Sequence, residues 1–321
     1  MTFSQDQATP TPGAHPTPGI KLRGVTKKFG RHTALDQASA TLDGGKVYGL
    51  IGRNGAGKTT LLRAIAGQVT VSGEVLVDGQ PVFDNARVLD ELILAGPDAP
   101  WPDMKVKHLL RVAAARWSTW DADYAASLVK DYDLDTSKRL GQLSRGQRSI
   151  VSIVLGLAAQ CPVTLLDEPY LGLDVQNREL FYRHLLADVQ ANPRTIIIST
   201  HHIDDAARIL DAVILVDSGR ITGVGSLQEI SERIVSVSGS ATAVESALDR
   251  LGSPASAVLS DATSAGSRRA ILDLHVIAAS GGAARDVDAL RDELSGMGAG
   301  VRVSEVDLEQ AVLVLTGKGL E

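Results

Sequence analysis

Eight residues, Gly52-Arg53-Asn54-Gly55-Ala56-Gly57-Lys58-Thr59, restrict the architecture of this 321-residue chain more than any other stretch. They match G-x-x-x-x-G-K-[ST], a phosphate-cradling loop that works only between the end of a strand and the start of a helix. Both flanks are present. Val47, Gly49, Leu50 and Ile51 form a short, mainly apolar run of strand length, and Leu61, Leu62 and Ile65 share one face of a helix beginning near Thr60. An α/β fold is therefore expected. Gly55 and Gly57 let backbone approach an anion with no Cβ in the way. Amides at the helix start point at that anion, and the helix dipole favours it. Lys58 would supply a point charge to the β- and γ-phosphates of a nucleotide, and Thr59 a hydroxyl ligand for Mg²⁺.

A second apolar run, Val163-Thr164-Leu165-Leu166, ends in Asp167 and Glu168. A carboxylate at the tip of a buried strand can hold Mg²⁺. Strand alternation would turn Glu168 to the opposite face, where it could polarise an attacking water as a general base. Alone, the pair reads equally well as acidic residues facing solvent. In Leu143-Ser144-Arg145-Gly146-Gln147, Ser144 is a good N-cap for a helix carrying Ile150, Val151, Val154 and Leu157. That helix start is another anion site, and nothing within the same chain needs it. Thr195-Ile196-Ile197-Ile198-Ser199 is a β-branched strand run, followed by Thr200 and His201.

Together these stretches resemble the ATP-binding cassette (ABC) family. The resemblance covers residues 20 to about 225, with Arg145 standing where glycine is usual in the signature sequence. It implies a P-loop ABC ATPase domain, with a mixed sheet core and a helical subdomain over about 98–145. Implied on one side of an ATP are Gly52, Asn54, Gly55, Ala56, Gly57, Lys58, Thr59 and Thr60. Ser144, Gly146 and Gln147 would contact the γ-phosphate held by the opposite subunit, and Asp174, in Gly172-Leu173-Asp174, would cross the seam. Phe29 would stack on adenine; its other reading is a core aromatic at a strand end. His201 is placed like the family's switch histidine, and His202 has no family role. The implied catalytic residues are Glu168, His201 and Lys58, and the implied Mg²⁺ ligands Thr59 and Asp167. One part is missing. The segment after Leu92-Ile93-Leu94-Ala95 lacks the family's glutamine and reads Gly96-Pro97-Asp98-Ala99-Pro100. Asp98 is either a substitute on the metal side or a turn residue between prolines.

The rest of the chain fits around this. The net charge of −6 leaves no global basic footprint, so nucleic acid is not an expected partner. The single cysteine, Cys161, excludes an internal disulfide. No apolar run approaches the roughly 20 residues needed to span a bilayer. An ABC ATPase of this kind implies a separate transmembrane permease, a second ABC subunit (identical or paralogous), and a place at the inner face of the cell membrane. Residues 1–19 hold four of the twelve prolines and read as a disordered leader. The cassette is expected over 20–228, with a hairpin turning at Asp78-Gly79 between Glu74–Val77 and Gln80–Phe83. Trp101, Trp117 and Trp120 lie in or beside the helical subdomain, as packing or as a permease-gripping surface. Residues 229–321 are expected to form a small α+β domain. Strands are placed at Arg233–Val237, Ala255–Ser260, Ala270–Ile277 and Gly300–Glu305 in a βαββαβ order that hints at a ferredoxin-like fold. The closing run 307–317 resembles the tail of exporter-type cassettes. The alternative is a soluble ABC ATPase acting on the ribosome or nucleic acid, which one cassette without heptads or a basic stripe fits less well.

Overall fold

A computed structural model describes residues 17–200, 206–280, 287–296 and 300–315. Strands β1 (Ile20–Phe29) and β2 (His32–Leu42) pair antiparallel. β3 (Val47–Ile51) leads through the phosphate loop into α1 (Lys58–Ile65). β4 (Ser72–Val77) and β5 (Gln80–Pro81) form the expected hairpin, with Asp78 and Gly79 at φ 48° and 72°, the left-handed pair that a tight turn of this length requires. The second strand stops at Pro81, short of Phe83, because proline has no N–H to give the ladder. Next come α2 (Ala86–Asp90), β6 (Leu92–Ala95), α3 (Val106–Arg116), α4 (Ala122–Asp131), α5 (Arg145–Ala158), β7 (Val163–Asp167), α6 (Val175–Ala191), β8 (Thr195–Thr200), β9 (Ala212–Asp217) and β10 (Arg220–Gly225).

Two sheets result. One is antiparallel, β2-β1-β4-β5; the other runs β10-β9-β3-β8-β7-β6, parallel except for β10 at its edge. Every residue of β3, β6 and β8 is buried, the pattern of a parallel sheet covered on both faces. One face packs against α3 to α6, the other against α1 and the antiparallel sheet. α5 lies so close to the sheet that a Cβ at Gly156 would sit 2.5 Å from Leu166 Cδ2.

The C-terminal unit has a four-stranded antiparallel sheet, β12 (Val258–Ser264), β13 (Ser267–Asp273), β11 (Ile234–Ser240) and β14 (Arg302–Glu305) in that spatial order. Helix Ala241–Arg250 connects β11 to β12, and helices Leu274–Ala279 and Val287–Gly296 connect β13 to β14. This is a split βαβ order. The strand expected over Ala270–Ile277 breaks at Asp273. That carboxylate accepts a hydrogen bond from the His275 amide and caps helix Leu274–Ala279, so the alternation beyond it is not a strand signal. Ala255–Ala257 is a 3₁₀ turn, and β12 begins only at Val258.

Two expected boundaries move. Residue 228 falls inside helix Leu227–Arg233, and Ile230, Ile234, Ile271, Ala311 and Val314 belong to the same buried cluster as Val213 and Leu215 of β9. No linker separates the units there. At the other end, Pro18 is buried and its carbonyl accepts a hydrogen bond from Thr195 Oγ1 (2.8 Å). Pro18 is thus packed against β8 rather than part of a disordered leader, and residues 1–16 lie outside the described residues.

Candidate active site

Register decides what meets at the carboxyl ends of the parallel strands. β8 lies between β3 and β7, pairing Leu50 with Ser199 and Asp167 with Ser199. Ser199 therefore stands beside the last residue of β7. Its hydroxyl donates to Asp167 Oδ1 (2.7 Å) and accepts from the Glu168 amide (2.8 Å). One serine fixes both members of the acidic pair. Strand alternation does not govern Glu168 as expected. β7 ends at Asp167 and Glu168 adopts φ 49°, a left-handed conformation costing a non-glycine residue on the order of 1–3 kcal/mol. Both carboxylates consequently line one cavity of about 660 Å³.

Lys58, only 7% exposed, forms part of the same wall. Its ammonium donates to the carbonyls of Gly52 (2.8 Å) and Arg53 (3.2 Å), and Glu168 Oε1 lies 4.0 Å away. Asn54, Gly55, Gly57, Thr59 and Thr60 complete the phosphate side. Gly57 occupies the N-cap position of α1 at φ 107° with no side-chain cap, leaving the first-turn amides for an anion. A Cβ there would stand 2.5 Å from the Ala34 carbonyl oxygen, so glycine is required twice over. Ala56 is buried inside the loop, its amide donating to Arg53.

Phe29 stands on the cavity rim, 51% exposed, with Lys27 Nζ 5.1 Å from its ring centre. It is not a core aromatic; an exposed flat ring beside a phosphate site is free to stack on a base. Asp98 occupies a turn closed by Ala99 N–H to Gly96 C=O (3.0 Å), and its side chain lines the cavity. The turn reading describes its backbone, and its carboxylate accepts a hydrogen bond from Arg145 Nη2 (2.8 Å).

Ser144, Gly146, Gln147 and Asp174 do not line this cavity. Ser144 Oγ accepts from the Gln147 amide (3.2 Å), and Gln147 Oε1 accepts from the Ser144 amide (3.0 Å), closing a capping box at the start of α5. A Cβ at Gly146 would lie 2.4 Å from the Gly172 carbonyl oxygen, and Asp174 caps α6 by accepting from the Asn177 amide (2.8 Å). These four residues stand outside the cavity, whereas Arg145, between Ser144 and Gly146, lines it. His201 and His202 lie outside the described residues. Sequence reasoning missed Arg63 and His32 as cavity residues, and the bridging role of Ser199. A polar residue closing the β-branched run of β8 was the available signal for Ser199.

Thr59 and Asp167 bring a hydroxyl and a carboxylate to one cavity, while no cluster of three or more His, Cys, Asp or Glu among the described residues could hold a metal. That donor set suits Mg²⁺, which takes one or two protein ligands and completes its shell with water and substrate phosphates. Cys161 takes no part: burial pushes its thiol up to about 12.

Residues 35–171 match the family model described as ABC transporter. The ATP-binding protein YtrB of Bacillus subtilis is 30% identical over 220 residues, covering 68% of this chain and 75% of YtrB. The chain belongs to the ABC transporter family. As an ABC subunit it is an ATP-hydrolysing enzyme with the P-loop cassette fold. It is also 31% identical to the Nod factor export ATP-binding protein I of Burkholderia lata (68% of this chain, 74% of the relative). It is 30% identical to the sulfate/thiosulfate import protein CysA of Bordetella pertussis (67% and 64%), so relatives work in both directions. A dimeric, post-hydrolysis structure of the ATP-binding cassette MJ0796 bound to ADP and Pi shares the fold at TM-score 0.56 and 21% identity, over 64% of this chain and 98% of that one.

For this ABC subunit, Lys58→Ala is expected to weaken ATP binding by about 10-fold or more, the worth of a charge-assisted contact inside a cavity, read by calorimetry. An unchanged affinity would remove Lys58 from the phosphate site.

Proposed function

We propose that this chain is the ATPase subunit of an export system, working as a dimer, with itself or with a paralogue, around two ATP molecules. That Ser144, Gly146, Gln147 and Asp174 stand outside the phosphate cavity carries this reading. The phosphate cavity holds Lys58, Thr59, Asp167 and Glu168, whereas the helix start at Ser144 and the loop at Asp174 point to a second molecule. Each subunit then supplies the cavity for one nucleotide and the Ser144 helix start for the other. Mg²⁺, held by Thr59 and Asp167, would neutralise phosphate charge. Glu168 orients and deprotonates the attacking water, Lys58 binds phosphate oxygens, and the exposed ring of Phe29 stacks on the base. A stacked ring gives affinity with little base selectivity, so GTP is a competent substitute.

Export is favoured by the closing run 307–317, whose residues Leu308–Leu315 are helical. No helix among the described residues is long and apolar enough to cross a membrane; in this reading a separate permease supplies the transport path and holds the chain at the inner membrane face.

An apolar groove of about 470 Å³ supports the permease reading. Trp101, Met104, Leu109, Val112 and Trp117 line it, and Val112 is 53% exposed. Trp117 serves two roles: it is buried, with its indole N–H donating to the Leu92 carbonyl (3.3 Å), and it forms the groove wall. Trp120 packs against the core. A groove of this shape takes an amphipathic helix. Val112→Glu is expected to abolish copurification of a helical membrane protein from detergent-solubilised membranes and to leave ATPase activity within about two-fold, since hot-spot losses concentrate in such apolar centres. Copurification of nucleic acid or ribosomes in place of a membrane protein would overturn the transport reading.

A further inference from the structure

The two places where the cassette pattern is broken are joined to each other. Arg145 Nη2 donates to Asp98 Oδ2 at 2.8 Å, across 47 residues of sequence, and both side chains line the phosphate cavity of their own subunit. Asp98 sits on a turn pressed against the end of β7: a Cβ at Gly96 would lie 2.7 Å from the Asp167 carbonyl oxygen. Arg145 is the first residue of α5, directly after the Ser144 cap. The pair therefore ties the metal side of the cavity to the start of the signature helix.

Its energetics point away from a structural role. Both side chains are more than half exposed, 63% for Asp98 and 52% for Arg145, and such a pair contributes at most about 1 kcal/mol to stability. A weak pair at a cavity wall is easily exchanged for stronger partners. Around that wall Lys58, Arg63 and Arg145 stand against Asp98, Asp167 and Glu168, with His32 beside them. Paired, the cations and carboxylates balance. A triphosphate brings several negative charges into this balance and gives a guanidinium two-pronged oxygen acceptors that one carboxylate does not outbid.

We propose that Arg145 is a phosphate-binding residue of its own subunit, restrained by Asp98 until nucleotide arrives, and that ATP entry exchanges the Asp98–Arg145 ion pair for an Arg145–phosphate contact. Asp98 is released in the same step and becomes available on the Mg²⁺ side. Because Arg145 opens α5, the exchange reports cavity occupancy to the Ser144 helix start that faces the partner.

This rests on ATP binding in the cavity, which the Lys58→Ala comparison checks separately. The test is calorimetric titration of ATP in EDTA, so that no Mg²⁺ competes, at protein concentrations where the chain is monomeric and no partner helix contributes. Arg145→Gly should weaken ATP by about 3- to 10-fold, and Asp98→Ala should tighten it by a similar factor, as expected of one exposed charge-assisted contact. In the Arg145→Gly background, Asp98→Ala should gain less than about two-fold, because no guanidinium remains to be freed. Melting temperatures of the variants report that the fold is intact. An Asp98→Ala gain that is equally large without Arg145 would mean Asp98 acts only as one more repelling charge, and the proposal fails. It fails equally if Arg145→Gly leaves metal-free ATP affinity unchanged. If wild-type protein binds ATP and loses it in Lys58→Ala, such a failure touches Arg145 alone and not the ATP site.

Discussion

Glu168→Gln should cut ATP turnover by about 10²- to 10⁴-fold while leaving ATP bound, the loss expected when a positioned general base disappears. Glutamine keeps the size of the side chain but cannot take a proton from water. The backbone would hold its position, because the Ser199 hydroxyl grips the Glu168 amide and not its carboxylate. Lys58 also stays in place: the Gly52 and Arg53 carbonyls anchor it at 2.8 and 3.2 Å, while Glu168 Oε1 contributes only from 4.0 Å. Binding and chemistry are thus separable at this residue. With hydrolysis blocked, the ATP-filled dimer accumulates and is visible by light scattering at saturating ATP. Phosphate release reads the turnover. A turnover within three-fold of wild type, or a monomer at saturating ATP, would contradict the assignment of Glu168 and of the two-subunit site.

The largest stability effect is expected far from the nucleotide. Asp188 and Arg194 form an ion pair at 2.5 Å with side-chain exposures of 2% and 4%. The guanidinium also donates to Thr164 Oγ1 of β7 (3.2 Å), and Gln160 Nε2 donates to Asp188 Oδ1 (2.8 Å). The network locks the end of α6 and the entry to β8 against β7. Asp188→Ala leaves a buried cation without its counter-charge, which costs about 3–5 kcal/mol. The expected fall in melting temperature is about 10 °C. Asp188→Ala combined with Arg194→Met should recover most of it, since replacing a whole buried pair with apolar groups is often nearly neutral. A double variant no more stable than the single would show that the other hydrogen bonds, not the unpaired charge, dominate.

Much of the cavity was legible in the sequence because its parts are local. A strand, a glycine loop and a helix in succession need no long-range information, and Lys58 and Thr59 followed from that, as Asp167 followed from the apolar run it ends. What was not legible depends on neighbours distant in sequence. The left-handed turn at Glu168 overrode strand alternation, and the bridging role of Ser199 depended on β8 lying beside β7. The exposure of Phe29 became evident only once its place at the end of β1 was known. In the C-terminal unit the alternation of Leu272, Leu274 and Val276 imitated a strand, and only the Asp273 cap shows where the helix begins. The limit at 228 falls inside helix Leu227–Arg233, because patterns along the chain do not show where apolar contacts stop.

That last contact has a practical outcome. Because Ile230, Ile234, Ala311 and Val314 belong to one buried apolar cluster with Val213 and Leu215, a protein trimmed after Gly225 would expose part of that cluster to solvent and tend to precipitate. The small sheet should melt together with the large one, as a single calorimetric transition and not as a detachable accessory.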